Sequence, residues 1–382
     1  MKMSKEPVVV IYRHYLLQPS ETFVRSQAEA LQRFTPYYMG LRLMQGLPLP
    51  DERTLVVNRG GLLGRISEVS AKLWGFSTPL VKQVQNLNPA LLHAHFGQDA
   101  ALVLPLAKDL QVPLLVTFHG SDATVRDAHA ERSLAQRIYF RRREGLKREA
   151  RLFIAVSEFI KKKLLEQGFP PDKIVVHYIG IDTKQFQPDP TVPREPVVLF
   201  VGRLVEKKGC EYLIQSMSRV QAAMPEVELV IIGDGRLRSY LENLAKEKLQ
   251  RYQFLGVQPP EIVKTWMNRA KVFCVPSITA KSGDAEGFGI VFAEAQAMGL
   301  PVVSFVSGGI PEAVAHDKTG FLVAERDSEG LTAYILRFLA DEELWRQFSQ
   351  SGQERVCTIF NLYKQTRVLE NIYFDRVLHG KV

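Results

Sequence analysis

The stretch of sequence that most constrains the fold reads Gly283-Asp-Ala-Glu286-Gly-Phe-Gly-Ile-Val-Phe-Ala-Glu294-Ala-Gln-Ala-Met-Gly-Leu-Pro-Val-Val303. Gly287 and Gly289 precede a run of apolar and small residues that predicts a helix, and that helix ends at Gly299-Leu-Pro301. The apolar residues after the proline predict a buried strand. A helix that leads into a buried strand is typical of a parallel α/β sheet.

Two glutamates stand eight residues apart in this stretch. Glu286 lies just before the predicted helix, and Glu294 lies about two turns inside it. Unpaired amides at a helix N-terminus form a natural phosphate site, and glycines allow the backbone to come close to it. Two carboxylates beside a phosphate indicate recognition of hydroxyl groups, a nucleotide ribose by one and a sugar by the other. The alternative is an ordinary surface helix with a capping acid and a solvated glutamate.

The segment resembles the E-x7-E signature of the retaining family 4 glycosyltransferases. This resemblance implies the GT-B fold, an α/β architecture of two doubly wound Rossmann-like domains that face a central cleft. In that family the first acid contacts the donor sugar and the second contacts the nucleotide ribose. The resemblance therefore implies these roles for Glu286 and Glu294, and it extends over nearly the whole chain.

Length and composition indicate an ordinary globular protein. A chain of 382 residues, with 46% hydrophobic and 24% charged residues, fits two domains of roughly 150 to 200 residues each. No apolar run approaches the ~18 residues of a spanning helix, and the run Val8–Tyr12 is too short for a signal peptide. Three widely spaced cysteines match no disulfide or metal framework. We therefore expect a cytoplasmic protein, which can also lie at the inner face of the cytoplasmic membrane.

The excess positive charge is confined to the first half. Residues 1–190 contain 26 Lys and Arg against 18 Asp and Glu, whereas the remainder contains 23 of each, so the first half carries the whole net charge of +8. The densest basic segment spans residues 131–151. The apolar residues in and beside it are Leu134, Ile138, Phe140, Leu146 and Phe153. Such a segment can lie on an anionic membrane or be a solvated helix, and no motif supports nucleic acid as a partner.

Both halves alternate predicted strands with predicted helices, which indicates parallel sheets covered by helices. Four prolines between residues 182 and 196 interrupt regular structure and mark a junction. The predicted domains are residues 1–190, for an acceptor, and residues 191–362, for a nucleotide sugar. The resemblance implies that a terminal helix, residues 363–382, joins the first domain. Ligands of such sheets bind at the carboxyl ends of the strands.

The loop after the first strand of the second half reads Gly202-Arg-Leu-Val-Glu-Lys-Lys208-Gly. Its bases can neutralise a diphosphate leaving group, although a solvated loop can have the same composition. The family carries the same arrangement, which implies that Arg203 and Lys208 bind the pyrophosphate. The other residues implied to contact the donor, beside the two glutamates, are Gly202, Val257, Gly287, Phe288, Gly289 and Ile290.

In the first half, Thr117-Phe-His119-Gly ends a predicted strand. The family has a similar stretch whose histidine contacts the donor sugar beside the reacting carbon, which implies that role for His119; a purely structural histidine is the alternative. His93 and His95 end another strand, where they either bind the acceptor or pack. Many relatives carry a Gly-Gly loop where this chain has Leu17-Gln-Pro-Ser20-Glu-Thr-Phe-Val24, a version that resembles the exopolysaccharide branch, including colanic-acid-type enzymes. The residues assigned to the acceptor are Ser20, Glu21 and His95.

The predicted function is a retaining glycosyltransferase. It moves a sugar from a nucleotide-diphosphate donor to a hydroxyl of a glycan, a lipid-linked or a small-molecule acceptor, in cell-surface polysaccharide biosynthesis. The predicted catalytic residues are His119, Arg203, Lys208 and Glu286. We expect no metal and no other cofactor, since Arg and Lys can stabilise the leaving group. The alternatives are a GT-B nucleotide-sugar epimerase and a non-catalytic protein that binds sugar nucleotides or membranes.

Overall fold

The chain forms two compact units. The computed structural model describes residues 6–18, 21–44, 47–126 and 133–379. One unit consists of Met1–Gly180 with Leu362–Val382, and the other consists of Ile181–Asn361. The junction predicted from the sequence lies between residues 190 and 191, about ten residues later. The junction lies at Ile181 because the two ends of the second unit pair there: the Ile181 amide donates to the carbonyl of Phe360 at 2.6 Å.

The first unit is built on a parallel sheet. Its elements are β1 (Val8–Tyr12), β2 (Tyr15–Leu16), α1 (Thr22–Glu29), β3 (Thr35–Leu43), β4 (Thr54–Asn58), α2 (Gly61–Trp74), α3 (Thr78–Asn86), β5 (Pro89–His95), α4 (Gly97–Asp109), β6 (Leu114–Phe118), α5 (Ser121–Thr124), α6 (Leu134–Glu149), β7 (Leu152–Ala155), α7 (Glu158–Glu166) and β8 (Ile174–Val176). The strands follow the order β2-β3-β1-β5-β6-β7-β8, with β4 also paired to β3. Every residue of β1 and β6 is buried, as expected of strands covered on both faces.

The C-terminal segment completes the first unit. Helix Leu362–Ile372 is followed by a π-helical turn, Tyr373–Leu378. The Glu370 carboxylate accepts from the backbone amides of Gln32 and Arg33 at 2.7 and 2.6 Å. The Tyr373 hydroxyl lies 2.7 Å from Nδ1 of His93. The last helical segment is therefore tied to the core of the unit that begins the chain.

The second unit is a six-stranded parallel sheet. Its elements are β9 (Val197–Val201), α8 (Cys210–Ala223), β10 (Glu228–Ile232), α9 (Arg238–Lys248), β11 (Tyr252–Gly256), α10 (Pro260–Arg269), β12 (Val272–Cys274), α11 (Ile290–Ala297), β13 (Val302–Phe305), α12 (Ile310–Ala313), β14 (Gly320–Val323), α13 (Ser328–Ala340) and α14 (Glu342–Ile359); the terminal helix Leu362–Ile372 is α15. The strand order β11-β10-β9-β12-β13-β14 reverses direction between β9 and β12. Such a switch point opens a crevice at the strand ends, where ligands bind in doubly wound folds.

Helix α6, Leu134–Glu149, contains most of the basic segment 131–151, and three of the five apolar residues named for that segment are buried. Ile138 and Leu146 are buried, while Phe153 lies in β7 and is fully buried. Leu134 is 37% exposed and Phe140 is half-buried, but these two residues are six positions apart and lie on different sides of α6, so they form no continuous apolar face. None of the described helices is both long and apolar enough to cross a bilayer.

Candidate functional site

Two adjacent lysines are fixed in the loop that follows β9. Glu206–Lys208 form a 3₁₀ turn, which Gly209 ends in the left-handed conformation with φ of 61°. A Cβ atom on Gly209 would lie 1.9 Å from the carbonyl oxygen of Pro276, so only glycine fits between this loop and the end of β12. This close approach holds Lys207 and Lys208 at the switch point of the sheet.

Each of these lysines meets an acid from the loop before α11. Lys208 Nζ lies 2.5 Å from Glu286 Oε2, and Lys207 Nζ lies 3.0 Å from Asp284 Oδ1. Burial alone would raise the pKa of Glu286, but the charges of Lys208 and Lys207, the hydrogen bond from Lys208 and the charge of Arg203 lower it to about 2. Glu286 is therefore ionised across the physiological range.

Close backbone contacts position Glu286 and the start of α11. The Gly309 amide donates to the Glu286 carbonyl at 2.8 Å, and a Cβ atom on Gly308 would lie 2.2 Å from that carbonyl oxygen. Gly289 precedes the helix with φ of 79°, and a Cβ atom there would lie 2.5 Å from the Phe292 ring. The amides of the first helical turn consequently begin beside the paired charges, which is a suitable environment for an anion.

Glu294 differs sharply from Glu286. Its side chain is partly buried within α11, and among the described residues it has no hydrogen-bond or ion-pair partner. Burial raises its pKa to about 7. A carboxylate without a partner in such a place can accept hydrogen bonds from ligand hydroxyls.

Arg203 and Val257 follow β9 and β11, two strands that flank β10 in the sheet. Arg203 is exposed just after β9 and has no hydrogen-bond or ion-pair partner in the described parts of the chain. Val257 follows β11 and is 73% exposed. Gly202 lies beside the aliphatic part of Lys208, since a Cβ atom there would be 3.5 Å from Cε. The predicted donor-binding residues of the second unit thus lie on the side of the sheet where its strands have their carboxyl ends.

The first unit holds a stack of three histidines at the ends of β5 and β6. The ring centroids of His93 and His95 are 4.4 Å apart, and those of His95 and His119 are 5.2 Å apart. His95 Nδ1 lies 3.0 Å from His119 Nε2, while the buried Nδ1 of His119 has no hydrogen-bond partner among the described residues. Burial, helped by the charge of Arg13, lowers the pKa of His119 to about 3, so the ring is neutral at neutral pH.

Asp122, for which the sequence predicts no role, shapes the backbone around His119. Its carboxylate accepts from the amides of His119, Gly120 and Gly97 at 3.1, 2.9 and 3.0 Å. Burial outweighs these hydrogen bonds and raises the pKa of Asp122 to about 6. An acid three residues after a strand-end histidine is the pattern that could have indicated this role.

A buried ionic cluster, also unforeseen, lies at the end of β1. Arg13 pairs with Glu21 and Asp99, and Asp99 also contacts His14 Nδ1 and accepts from the His14 amide at 2.9 Å. Arg13 lies 4.3 Å above the Phe96 ring, which in turn packs against His119. The cluster connects the N-terminal loop to the histidine stack.

This arrangement bears on the three residues assigned to the acceptor. Glu21 is 6% exposed and bonded to Arg13, so a contact with an acceptor would require it to leave its partner. His95 is 1% exposed and enclosed between two other histidines, which matches the packed alternative. Ser20 lies outside the described residues.

The described His, Cys, Asp and Glu side chains bear on whether the protein can hold a metal ion. Within residues 6–18, 21–44, 47–126 and 133–379, no group of three or more His, Cys, Asp or Glu side chains is arranged to hold a metal ion. The charged groups described above at the second unit's strand ends are two lysines, an arginine, an aspartate and two glutamates. These groups can bind an anion and hydroxyl groups side by side.

Solved structures share this architecture over nearly the whole chain. Anabaena HepE, crystallised with UDP and glucose, has a TM-score of 0.76 at 20% identity, covering 96% of this chain and 98% of that one. Sucrose-phosphate synthase of Thermosynechococcus elongatus has a TM-score of 0.75 at 23% identity, covering 97% and 98%. At such identities the likeness concerns the fold. Two doubly wound parallel-sheet units of this kind define the GT-B class.

Sequence comparisons specify the family within that class. The model described as Glycosyl transferases group 1 matches residues 182–355, and Glycosyltransferase Family 4 matches residues 20–185. The putative colanic acid biosynthesis glycosyltransferase WcaL of Salmonella typhimurium is 31% identical over 290 residues, 73% of this chain and 69% of that protein. The amylovoran biosynthesis glycosyltransferase AmsK of Erwinia amylovora is 32% identical over 284 residues, 73% and 68%. The chain belongs to the family 4 glycosyltransferases, and it is an enzyme of that family.

Proposed function

We propose that the protein transfers a sugar from a nucleotide-diphosphate donor to an acceptor hydroxyl with retention of the anomeric configuration. The observation that carries this proposal is the cluster at the switch point of the second unit. There the Lys208–Glu286 pair lies beside the start of α11, while Arg203 and Glu294 have no protein partner within the described chain. Fixed positive charge, helix amides and carboxylates are the groups that a diphosphate bearing two sugars requires.

Each residue has a distinct role in this proposal. Arg203 and Lys208 bind the diphosphate, Glu294 accepts from the ribose hydroxyls, and Glu286 accepts from the transferred sugar. Gly202, Val257 and the segment Gly287–Ile290 provide the surrounding donor contacts. In the first unit, the neutral ring of His119 uses its buried Nδ1, which lacks a partner in the described chain, for a contact to the donor sugar.

The proposed reaction needs no protein nucleophile. The bond from the anomeric carbon to the phosphate oxygen breaks while a bond to the acceptor oxygen forms on the same face of the sugar. The departing phosphate takes the acceptor proton, so that charge and atoms balance. Lys208 and Arg203 stabilise the negative charge that develops on the phosphate, which is the largest contribution expected in such a site. No metal is required in this proposal.

The names of the relatives indicate the biological setting. Because WcaL and AmsK are named for colanic acid and amylovoran biosynthesis, we place this enzyme in exopolysaccharide assembly. A lipid-linked or glycan acceptor at the inner face of the cytoplasmic membrane suits the excess positive charge of the first half. A cytoplasmic location with peripheral membrane contact follows from this proposal.

A donor panel tests the proposal most directly. Thermal unfolding is followed with UDP-, GDP- and ADP-sugars, because a donor at about 100 times its Kd stabilises the folded state by about 2.7 kcal/mol. We expect one nucleotide class to raise the melting temperature, and the matching donor to give a product with unchanged anomeric configuration by NMR. An inverted product would contradict the retaining mechanism. Epimerisation of the free donor would favour the epimerase, and binding without turnover would favour a non-catalytic protein.

A further inference from the structure

Helix α2 of the first unit carries two of its three charged residues inward. Glu68 and Lys72 are buried although both are charged. Glu68 accepts from Lys72 at 2.9 Å, from Asn58 of β4 at 2.8 Å and from Arg42 of β3 at 2.9 Å. This network satisfies the polar face and fixes the rotation of the helix on the sheet.

The opposite face of α2 is apolar and exposed. The exposed fractions are 74% for Leu62, 80% for Leu63, 57% for Ile66, 46% for Val69 and 41% for Leu73. Positions 62, 66, 69 and 73 recur at the helical period and therefore form one continuous stripe. Apolar stripes on a protein surface mark contacts with another protein or with a membrane.

Basic side chains adjoin the start of this stripe. Arg59 and Arg65 are exposed and have no hydrogen-bond or ion-pair partner in the part of the chain that the structure describes. They line a groove with Arg42 and the exposed Leu43; Asp51 is also part of its lining. An apolar stripe bordered by unpaired arginines is typical of a helix that lies in the plane of an anionic bilayer. The 14 residues of α2 extend roughly 21 Å, which suits such a position but not a crossing.

We propose that α2 docks the first unit on an anionic lipid surface. The apolar stripe inserts among the acyl chains, and Arg59 and Arg65 lie against the lipid phosphates. This rests on the membrane contact in the proposed function, but it assigns that contact to α2 instead of the segment 131–151. It does not depend on the sugar-transfer reaction.

Vesicle flotation tests the assignment. The full chain is mixed with phosphatidylcholine vesicles that contain or lack phosphatidylglycerol. We expect the wild type to float with the anionic vesicles, and Leu62→Ser with Ile66→Ser to weaken that binding by about tenfold or more, because two inserted side chains are lost. Arg59→Gln with Arg65→Gln should weaken it by a similar factor, on anionic vesicles alone.

The control removes two exposed apolar residues from other helices of the same unit. Leu165 in α7 and Val368 in α15 are 40% and 45% exposed, and Leu165→Ser with Val368→Ser should float like the wild type. Melting temperature confirms folding of each variant. Light scattering distinguishes lipid docking from self-association. If the stripe binds another copy of the chain, the α2 variants should lose dimers and keep their lipid binding.

The outcomes separate this proposal from the proposed function. If the α2 variants float like the wild type, or if the wild type ignores anionic lipid, docking by α2 is refuted. Donor turnover on a soluble acceptor, measured without vesicles, should be unchanged in the α2 variants. A protein that floats through α2 but transfers no sugar would overturn the proposed function and leave the docking surface standing.

Discussion

Lys208 and Glu286 form an ion pair, with 2.5 Å between Nζ and Oε2, although 78 residues separate them in the chain. The pair joins the loop after β9 to the loop before α11. Each partner is largely shielded from solvent, with 11% and 13% of the side chains exposed. A partner lost from such a pair leaves a poorly solvated charge, so both loops depend on it.

Lys208→Ala should abolish most of the turnover. The variant loses the cation that stabilises the departing phosphate, and a loss of about a hundredfold or more in kcat is expected for one such group. Release of nucleoside diphosphate at saturating donor measures it. Lys246→Ala, which changes an exposed lysine of α9, is the matched control and should retain wild-type turnover. Near-normal turnover in Lys208→Ala would contradict the proposal that Lys208 stabilises the departing phosphate.

Glu294 makes stability depend on pH. Burial raises its pKa from 4.5 to about 7 in the folded protein, so the unfolded chain loses this proton first as the pH rises. The free energy of unfolding should therefore fall between about pH 4.5 and pH 7, by at most about 3 kcal/mol. Glu294→Gln has no proton to lose and should not show this fall in urea titrations. Glu226→Gln, an exposed glutamate of the same unit, should keep the wild-type profile.

Glu286 should make stability depend on pH in the opposite direction, at more acidic pH. Because its pKa falls from 4.5 to about 2 on folding, its contribution to stability is present above about pH 4.5 and disappears as the pH falls towards 2. The expected contribution is about 3 kcal/mol at most. The free energies of unfolding of the wild type and Glu286→Gln should converge near pH 2. Curves that stay parallel from pH 5 to pH 2 would contradict this contribution of Glu286.

Gly289→Ala should destabilise the second unit. The left-handed φ of 79° and the Phe292 ring 2.5 Å from the added Cβ atom both oppose a side chain, at a cost of about 1–3 kcal/mol. Gly145→Ala is the control, since no atom lies within 4 Å of a Cβ atom at this position inside α6. That change should stabilise the protein by about 0.5–1 kcal/mol in urea unfolding. Equal effects of the two substitutions would show that local crowding at Gly289 has no role.

Glu21→Gln separates a structural role from an acceptor role. Removal of the charge leaves Arg13 with Asp99 as its remaining carboxylate, and about 3 kcal/mol of stability should be lost. Glu52→Gln, on a carboxylate that is 76% exposed and 4.0 Å from Arg53, should cost less than about 1 kcal/mol. Chemical denaturation measures both. If Glu21→Gln instead raises KM for the acceptor at unchanged stability, the predicted acceptor contact is supported.

Local sequence signals predicted the fold correctly. The pattern from Gly287 to Pro301 predicts a helix and a following strand, and the structure has α11 and β13 there. The prediction of two doubly wound α/β domains in the GT-B class is confirmed by the sheets and by the solved structures. These features are accessible because helix ends and buried strands depend on neighbouring residues.

Contacts between distant residues could not be predicted in the same way. Arg13 and Asp99 are 86 residues apart, and only the pairing of β1 with β5 brings them together. The spacing of the apolar residues in α2 likewise indicates a stripe, but it does not show which face of the helix packs on the sheet. Asn58 and Arg42, on neighbouring strands, donate hydrogen bonds to Glu68 and so determine which face of α2 lies against the sheet. The ligand-binding roles of Arg203, Glu294 and His119 stay predictions.

The meeting of Ile181 with Phe360 and Asn361 has a consequence for the modularity of the chain. Since the second unit begins and ends at one place, it is an insertion between two segments of the first unit. Gly180 and Leu362 pack so closely that a Cβ atom on Gly180 would lie 2.6 Å from Leu362 Cα. The described strands of the first unit's sheet all come from that unit. Replacement of residues 181–361 as one block therefore leaves that sheet complete.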